Sequence, residues 1–415
     1  MLYYLFKYLQ ELGVPGSGLF NYISFRSGMA VITSLLITMI FGKRFINYMR
    51  RRQIGESVRD LYLDGQKQKT GTPTMGGIMI IAAIVIPVLL FAELSNTYIL
   101  LLLFTTIWLG GVGFADDYIK VFRKNKDGLN SRAKLAAQIF LGVVIGLSIY
   151  LSPDILVREN PVITTPEDVE QFIEEDGLED INYTPNDVKS LKTTLPFVKD
   201  NEFDYSKIAF FVDSNKYPWV GWVIFIVIVT FIITAVSNGA NMTDGLDGLA
   251  SGTSAVSAAT LLVFAYLSGN AIFSQYLKIM YLPGIGELVV FSSAFIGATI
   301  GFLWYNAYPA QIFMGDTGSL TIGGIIAVIA ILVRKELLIP IFCGIFLIEN
   351  ISVMAQVWYF KRTLKKYGCG MHLFLMAPLH HHYQKKGIPE PKIVARFIIV
   401  AIILAVISVI TLKIR

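Results

Sequence analysis

The sequence predicts an all-α, polytopic integral membrane protein with about ten transmembrane helices and both termini on the extracytoplasmic side. Three observations carry that expectation. The 415 residues are 54% hydrophobic and 16% charged, with a mean hydropathy of +0.60. A soluble domain carries about a quarter of its residues as charges, so there is too little polar surface here to face water all round. Apolar windows long enough to cross a bilayer core as helix run from Met75 to Ala92, Thr97 to Ala115 and Trp219 to Ser237 without a charge. Finally, 22 of the 35 Lys and Arg residues fall on one alternating set of loops.

Apolar runs between polar breaks place spans near residues 24–45, 75–94, 97–115, 134–152, 218–237, 248–268, 287–305, 319–333, 337–359 and 393–412. The N-terminal segment lacks the basic start and small-residue cleavage site of a secretory leader, so none is expected. Basic loops at Lys43–Lys69, Lys120–Lys134 and Lys361–Arg396 put those segments inside. The intervening segment 152–217 holds 15 of the 30 Asp and Glu residues, and long loops cross membranes largely regardless of charge. It reads as an acidic extracytoplasmic insertion within a single transmembrane catalytic domain spanning 1–415. Its aromatic residues Phe172, Tyr183, Phe197, Phe203 and Tyr205 would support a small subdomain. Cys343 sits in an apolar span and Cys369 in a basic loop, so neither a disulfide nor a cysteine metal cluster is expected.

The alternation sends the polar motifs outside the long loop to one side. They are Lys69 to Gly77 (KTGTPTMGG), Asp116-Asp117, Asn238 to Gly248 (NGANMTDGLDG), Asn306 through Phe313 to Gly318, and Ala377 to His382 (APLHHH). Carboxylates at membrane depth are costly and usually mark function. Asp116 and Asp117, joined by Asp244, Asp247 and Asp316, would repel one another unless a cation sat among them, and Mg²⁺ suits carboxylates shared with substrate phosphates. Asn238, Asn241, Asp244 and Asp247 recur every three residues and would share one helical face. The helix starting near Leu249 would offer free N–H groups to a phosphate. Lys126 and Lys134 lie in a basic run that reads either as a headgroup-facing loop or, beside Asp116, as a phosphate grip. Phe313 is either a loop anchor or a stacking surface for a nucleobase. Three adjacent histidines point about 100° apart on a helix and so converge poorly on zinc; donation to phosphate or sugar oxygens suits them better. His372 reads as an isolated loop residue.

Taken together, these motifs resemble the phospho-N-acetylmuramoyl-pentapeptide-transferase family, within the polyprenyl-phosphate N-acetylhexosamine-1-phosphate transferase superfamily. Asp116-Asp117, the Asn241–Gly248 run and Gly315-Asp316-Thr317-Gly318 are similar to superfamily motifs. Gly71–Gly77 and Ala377–His382 resemble the muramoyl-pentapeptide branch. The resemblance implies attack of undecaprenyl phosphate on the β-phosphate of UDP-N-acetylmuramoyl-pentapeptide, releasing UMP and lipid I. It also implies Mg²⁺ held by Asp316 and Asp244, and Asp116 activating the lipid phosphate with Asp117 beside it. Asn238 and Asp244 would line the phosphate region, and Asp247 and Phe313 would hold uracil with Lys69 nearby. Asn241, Asn306 and Gln356 would complete the pocket, with His380 acting in catalysis and His381 and His382 closing the site. A homodimer in a lipid bilayer is implied, and no nucleic-acid partner. Met242 replaces the more usual Leu, and the 152–217 insertion is longer than is typical. Attack by Asp116 itself, through a covalent intermediate, stays open beside direct attack. Two rivals remain: a transferase of N-acetylglucosamine-1-phosphate to the same lipid, and a transporter, whose site would lie near the bilayer midplane.

Overall fold

A computed structural model describes residues 1–52, 69, 71–123, 125, 127–158, 187–196, 202–209 and 217–413. Among them eight helices are long and apolar enough to cross a membrane. They are α2 (Ile23–Arg51), α4 (Thr97–Phe122), α5 (Ser131–Leu151), α6 (Pro218–Thr243), α7 (Leu249–Ser268), α9 (Glu287–Asn306), α10 (Gly315–Leu332) and α14 (Glu390–Thr411). The shorter α3 (Gly77–Phe91) is a ninth apolar helix. The segment Glu336–Phe342, ending in α11 (Ile339–Phe342), and α12 (Gly344–Tyr367) are long and apolar enough only as a pair, which is bent by 80°. The protein is therefore an all-α polytopic membrane protein. The uninterrupted helix expected over 337–359 is corrected by that break. Three short helices complete the set: α1 (Leu2–Glu11), α8 (Ala271–Leu277) and α13 (Leu379–Lys385).

Local chemistry accounts for the helix starts. The Asn96 side chain accepts from the N–H groups of Tyr98 and Ile99, Asn130 from Arg132, and Asn270 from Phe273, satisfying donors that a helix terminus leaves orphaned. Inside the bilayer nothing else would satisfy backbone groups, so the apolar segments close their hydrogen bonds as helix. Helix α10 is the centre of the bundle: every residue from Thr317 to Leu332 is buried. It packs on α3, α4 and α6, while α9 packs on α2, α3 and α7. Lipid provides no hydrophobic drive between helices, so close contact must come from small residues. Gly77 shows this, since a Cβ there would lie 2.1 Å from the Gly318 backbone nitrogen.

The two ends of the bundle are chemically distinct. At one end Arg26 and Glu287 form a buried bidentate pair at 2.6 and 2.8 Å, which also takes in Phe91 O and Glu93 N. The described part of the insertion docks at this same end. Strands β1 (Val157–Arg158) and β2 (Asp187–Val188) pair antiparallel, as do β3 (Lys192–Thr194) and β4 (Glu202–Asp204). The described residues of the insertion thus carry two short two-stranded sheets. Tyr205 donates to the buried Glu336 carboxylate at 2.8 Å, and Thr194 takes 2.7 Å contact from Lys335. Burial pushes the Lys335 ammonium down to about 8, against the pull of Glu336 and Glu202. Of the aromatic residues expected to support a subdomain, Phe203 and Tyr205 meet edge to face, 5.6 Å between ring centres; Phe172, Tyr183 and Phe197 lie outside the described residues.

Candidate active site

At the opposite end the polar loops interlock. Asp116 and Asp117 stand on the last turns of α4, and Asp316 on the first turn of α10. One carboxylate oxygen from each lies within 4.8 Å of the others. Two lysines enter the cluster. Lys120, one turn beyond Asp116, approaches it at 2.6 Å and Asp316 at 3.4 Å. Lys134, on the first turn of α5, reaches Asp116 at 2.8 Å and Asp316 at 2.6 Å. The Asp116 carboxylate also accepts from the Leu129 N–H at 2.6 Å. Three carboxylates against two ammonium groups leave one negative charge uncompensated in a largely buried site. Hard oxygen donors and residual negative charge fit a hard divalent cation. Asp117 has a further task. Its oxygens accept from Asp316 N (3.1 Å), Thr317 N (2.9 Å) and Thr317 Oγ1 (2.6 Å), so it caps α10 and fixes where Asp316 stands. Gly315, at φ +72°, is where the chain needs a residue without a Cβ: one there would meet Asp117 Oδ2 at 2.5 Å.

A second cluster joins the remaining loops. Lys69 Nζ lies 2.6 Å from both Asp247 Oδ1 and Glu390 Oε1. Asp247 Oδ2 accepts from Ala310 N at 2.9 Å, and Asp247 N donates to Glu390 Oε1 at 2.6 Å. Burial alone would lower the Lys69 ammonium, but attraction and hydrogen bonds from Glu390 and Asp247 outweigh it and the net shift is upward. Between the clusters, Phe313 N donates to Pro73 O, Gly76 N to Phe313 O and Gly77 N to Met314 O. The glycine-rich first loop is thereby sewn along the segment leading to Asp316. Phe313 is half-buried, as a surface offered for stacking requires.

Other residues singled out from sequence take more structural places. Asn306 is buried and accepts from Gly248 N and Ser251 Oγ, both at 3.1 Å. Together with the Asp247–Glu390 bond, this engages the N–H groups of Asp247 and Gly248, just ahead of α7, from within the protein. Gln356 accepts from Leu373 N and Phe374 N and meets His372 at 2.6 Å; it braces that loop. Asn238 donates to Gln138 Oε1 and Thr234 O. Asn241 and Asp244 are half-buried at and just past the end of α6, and Asp244 is not one of the three convergent carboxylates. Lys126 lies outside the described residues.

The histidines divide. His380 is fully buried, its Nδ1 3.1 Å from the buried Glu349, and a Cβ on Gly245 would lie 2.2 Å from its Nε2. It supports the Asp244–Asp247 turn from beneath. His381 Nδ1 meets Gln384 Oε1 at 2.7 Å, and Gln384 turns its amide nitrogen to Glu390 at 3.5 Å. The carboxylate fixes the amide orientation, so His381 donates from Nδ1 and keeps Nε2 as an acceptor. Burial, then His380, pushes this imidazole down to about 4. His382 Nδ1 accepts from Leu375 N, leaving Nε2–H to donate. The donor role expected of all three survives at His382 alone.

Glu390, Gln138 and Glu349 escaped the sequence reading. Gln138 did carry a signal: it is an amide inside an apolar span, four residues after Lys134 and so on its helical face.

Comparison with known proteins adds the following. The profile described as Glycosyl transferase family 4 matches residues 190–334. A phospho-N-acetylmuramoyl-pentapeptide-transferase of Flavobacterium psychrophilum is 57% identical over 418 residues, with all of both chains covered. Proteins of that description from Parabacteroides distasonis and Porphyromonas gingivalis are 55% and 51% identical over 429 residues, again across all of both chains. These relatives therefore share a chain of matching length, insertion included.

Proposed function

The chain belongs to the phospho-N-acetylmuramoyl-pentapeptide-transferase family, and on that premise we propose how its residues perform the transfer. The enzyme moves phospho-N-acetylmuramoyl-pentapeptide from UDP-N-acetylmuramoyl-pentapeptide to undecaprenyl phosphate, giving lipid I and UMP. The observation that carries the reading is the meeting of Asp116, Asp117 and Asp316 with Lys120 and Lys134 at the mouth of the bundle. Phosphoryl transfer asks mainly for positioning and charge neutralisation.

Asp316 and Asp116 would hold Mg²⁺, with Asp244 adjoining; when bound, the ion supplies charge neutralisation to the donor diphosphate. Lys120 and Lys134 stand ready to exchange carboxylate for phosphate oxygens. A lipid phosphate oxygen attacks the β-phosphorus, and the bond to the bridging oxygen of UMP breaks. Asp116 orients that phosphate. Both its oxygens are already held by lysines and Leu129 N, which supports direct attack over a covalent aspartyl route. Lys69, Asp247 and Phe313 hold uracil. Asn238, Asn241 and His382 border the diphosphate and sugar. Asn306, Gln356 and His380 act by holding the loops. The site faces the cytoplasm of a bacterial inner membrane, and the protein works as a homodimer.

Nothing in the geometry favours N-acetylglucosamine-1-phosphate as the transferred group. The test is direct: purified protein with Mg²⁺, undecaprenyl phosphate and labelled UDP-N-acetylmuramoyl-pentapeptide, followed by UMP release and lipid-linked product. Turnover that needs Mg²⁺ and disappears in Asp316→Ala is expected. Nucleotide binding without turnover would overturn the acceptor, and absence of binding would overturn the donor.

A further inference from the structure

Glu390 is the one charged member of the second cluster to which the transfer reading gives no task. We propose that Glu390 is a positioning and specificity-determining residue for the nucleobase, holding Lys69 and Asp247 in the donor–acceptor order that reads uracil. This rests on the reading of that cluster as the uracil site.

Glu390 stands between Pro389 and Pro391 at the first turn of α14. Two fixed φ angles hold the backbone there, and proline is at home where the N–H would be orphaned anyway. An acidic residue at a helix start ordinarily faces water and the helix dipole. This one does not: its side chain is 7% exposed. Its Oε1 instead takes two charge-assisted bonds of 2.6 Å, from Lys69 Nζ and from Asp247 N. Its Oε2 faces the Gln384 amide.

Those bonds have chemical consequences. Glu390 and Asp247 share one ammonium group, so these three side chains together carry a net negative charge and Lys69 stays protonated. Two of its three N–H bonds are committed among the described residues, leaving one to donate. Asp247 is fixed twice, through its main chain by Glu390 and through Oδ2 by Ala310 N. Each of its oxygens keeps a lone pair. The wall of the pocket therefore presents an acceptor beside a donor. Uracil matches that order, with its N3–H beside a carbonyl. Cytosine reverses it, with a bare N3 beside an amino group, and leaves buried groups unpaired. Without the Glu390 charge, Lys69 would close fully onto Asp247 and mask the acceptor.

The experiment compares the full-length enzyme with Glu390→Gln and Glu390→Asp in detergent. It measures kcat and KM for the UDP donor, and competitive inhibition by UMP and by CMP. The Gln variant keeps size and the bond to Asp247 N but removes the charge. A 10- to 100-fold rise in KM for the donor is expected, with kcat held within about threefold and the preference for UMP over CMP reduced at least tenfold. The Asp variant should fall between. An unchanged UMP/CMP ratio in folded Glu390→Gln, shown by its thermal unfolding, would overturn the inference. So would a loss confined to kcat. Wild-type enzyme inhibited equally by UMP and CMP would instead overturn the underlying uracil reading.

Discussion

Replacing Asp117 by Asn separates a group that acts on substrate from one that acts through the protein. In the native site its two oxygens accept three hydrogen bonds from the start of α10. The amide has one oxygen, so whichever way it turns, its NH₂ must face Asp316 N–H or the paired Thr317 donors. One buried donor is then left unpaired, at about 1–3 kcal/mol. The charge at the helix N-terminus is lost as well, worth about 0.3–1 kcal/mol. The expected destabilisation is about 1–4 kcal/mol. Because the orphaned donor belongs to Asp316 or its neighbour, the Asp316 carboxylate moves with it. A displacement of roughly 1 Å in a transfer site costs on the order of 100-fold in rate. Thermal unfolding in detergent and UMP release should therefore fall together in Asp117→Asn, with KM for the donor nearly unchanged. If activity vanished while the unfolding temperature stayed at wild type, Asp117 would be acting on substrate and the capping argument would be wrong.

Two further outcomes follow from the same geometry. A Cβ on Gly113 would sit 2.3 Å from the Asp316 carbonyl oxygen, so Gly113→Ala must part α4 from α10. It should cost about 1–3 kcal/mol of stability and at least tenfold in UMP release, measured side by side. His381, lowered to about 4 from an ordinary 6.5, resists protonation when folded. The unfolded chain takes the proton first, so the stability it contributes is present above about 6.5 and is lost as pH falls toward 4. Unfolding temperature scanned from pH 7 to 4 should drop less steeply in His381→Gln, whereas identical slopes would show that His381 titrates normally.

How far the sequence reached can be traced residue by residue. Spans were legible because a bilayer demands about 20 apolar residues, and the eight long helices and α3 lie where those runs are. The break at Cys343 was not: Leu338 to Leu347 is apolar throughout apart from Pro340, and hydropathy is blind to direction. The carboxylate cluster was legible because Asp116-Asp117 is costly where it stands. The role of Asp117 was not, since its partners lie 199 and 200 residues away. The inward turn of His380 is illegible for a different reason. Adjacent histidines on a helix point apart, so a motif of three must send at least one inward, and composition does not say which. Glu390, 321 residues from Lys69, reads locally as a routine acidic residue at a helix start.

What joins these pieces is the segment from Ala310 to Asp316. At one end Ala310 N holds Asp247, and at the other Asp316 meets Lys134. Between them Phe313 and Met314 are paired with the glycine-rich first loop. The six residue steps from Ala310 to Asp316 cover no more than about 22 Å even when extended, so one short segment serves both charged clusters of the proposed nucleoside diphosphate site. Each cluster has more carboxylates than lysines, which ought to repel such an anion. Two features offset this. The triad suits a divalent cation, and on the proposed reading the Lys69 cluster meets the uncharged base, which needs only hydrogen-bonding order. The division of labour then assigns charge neutralisation to Lys120, Lys134 and the cation, and selectivity to Lys69, Asp247 and Glu390. On that division, salt and Mg²⁺ concentration should act on the rate of transfer, while the identity of the base should act on KM.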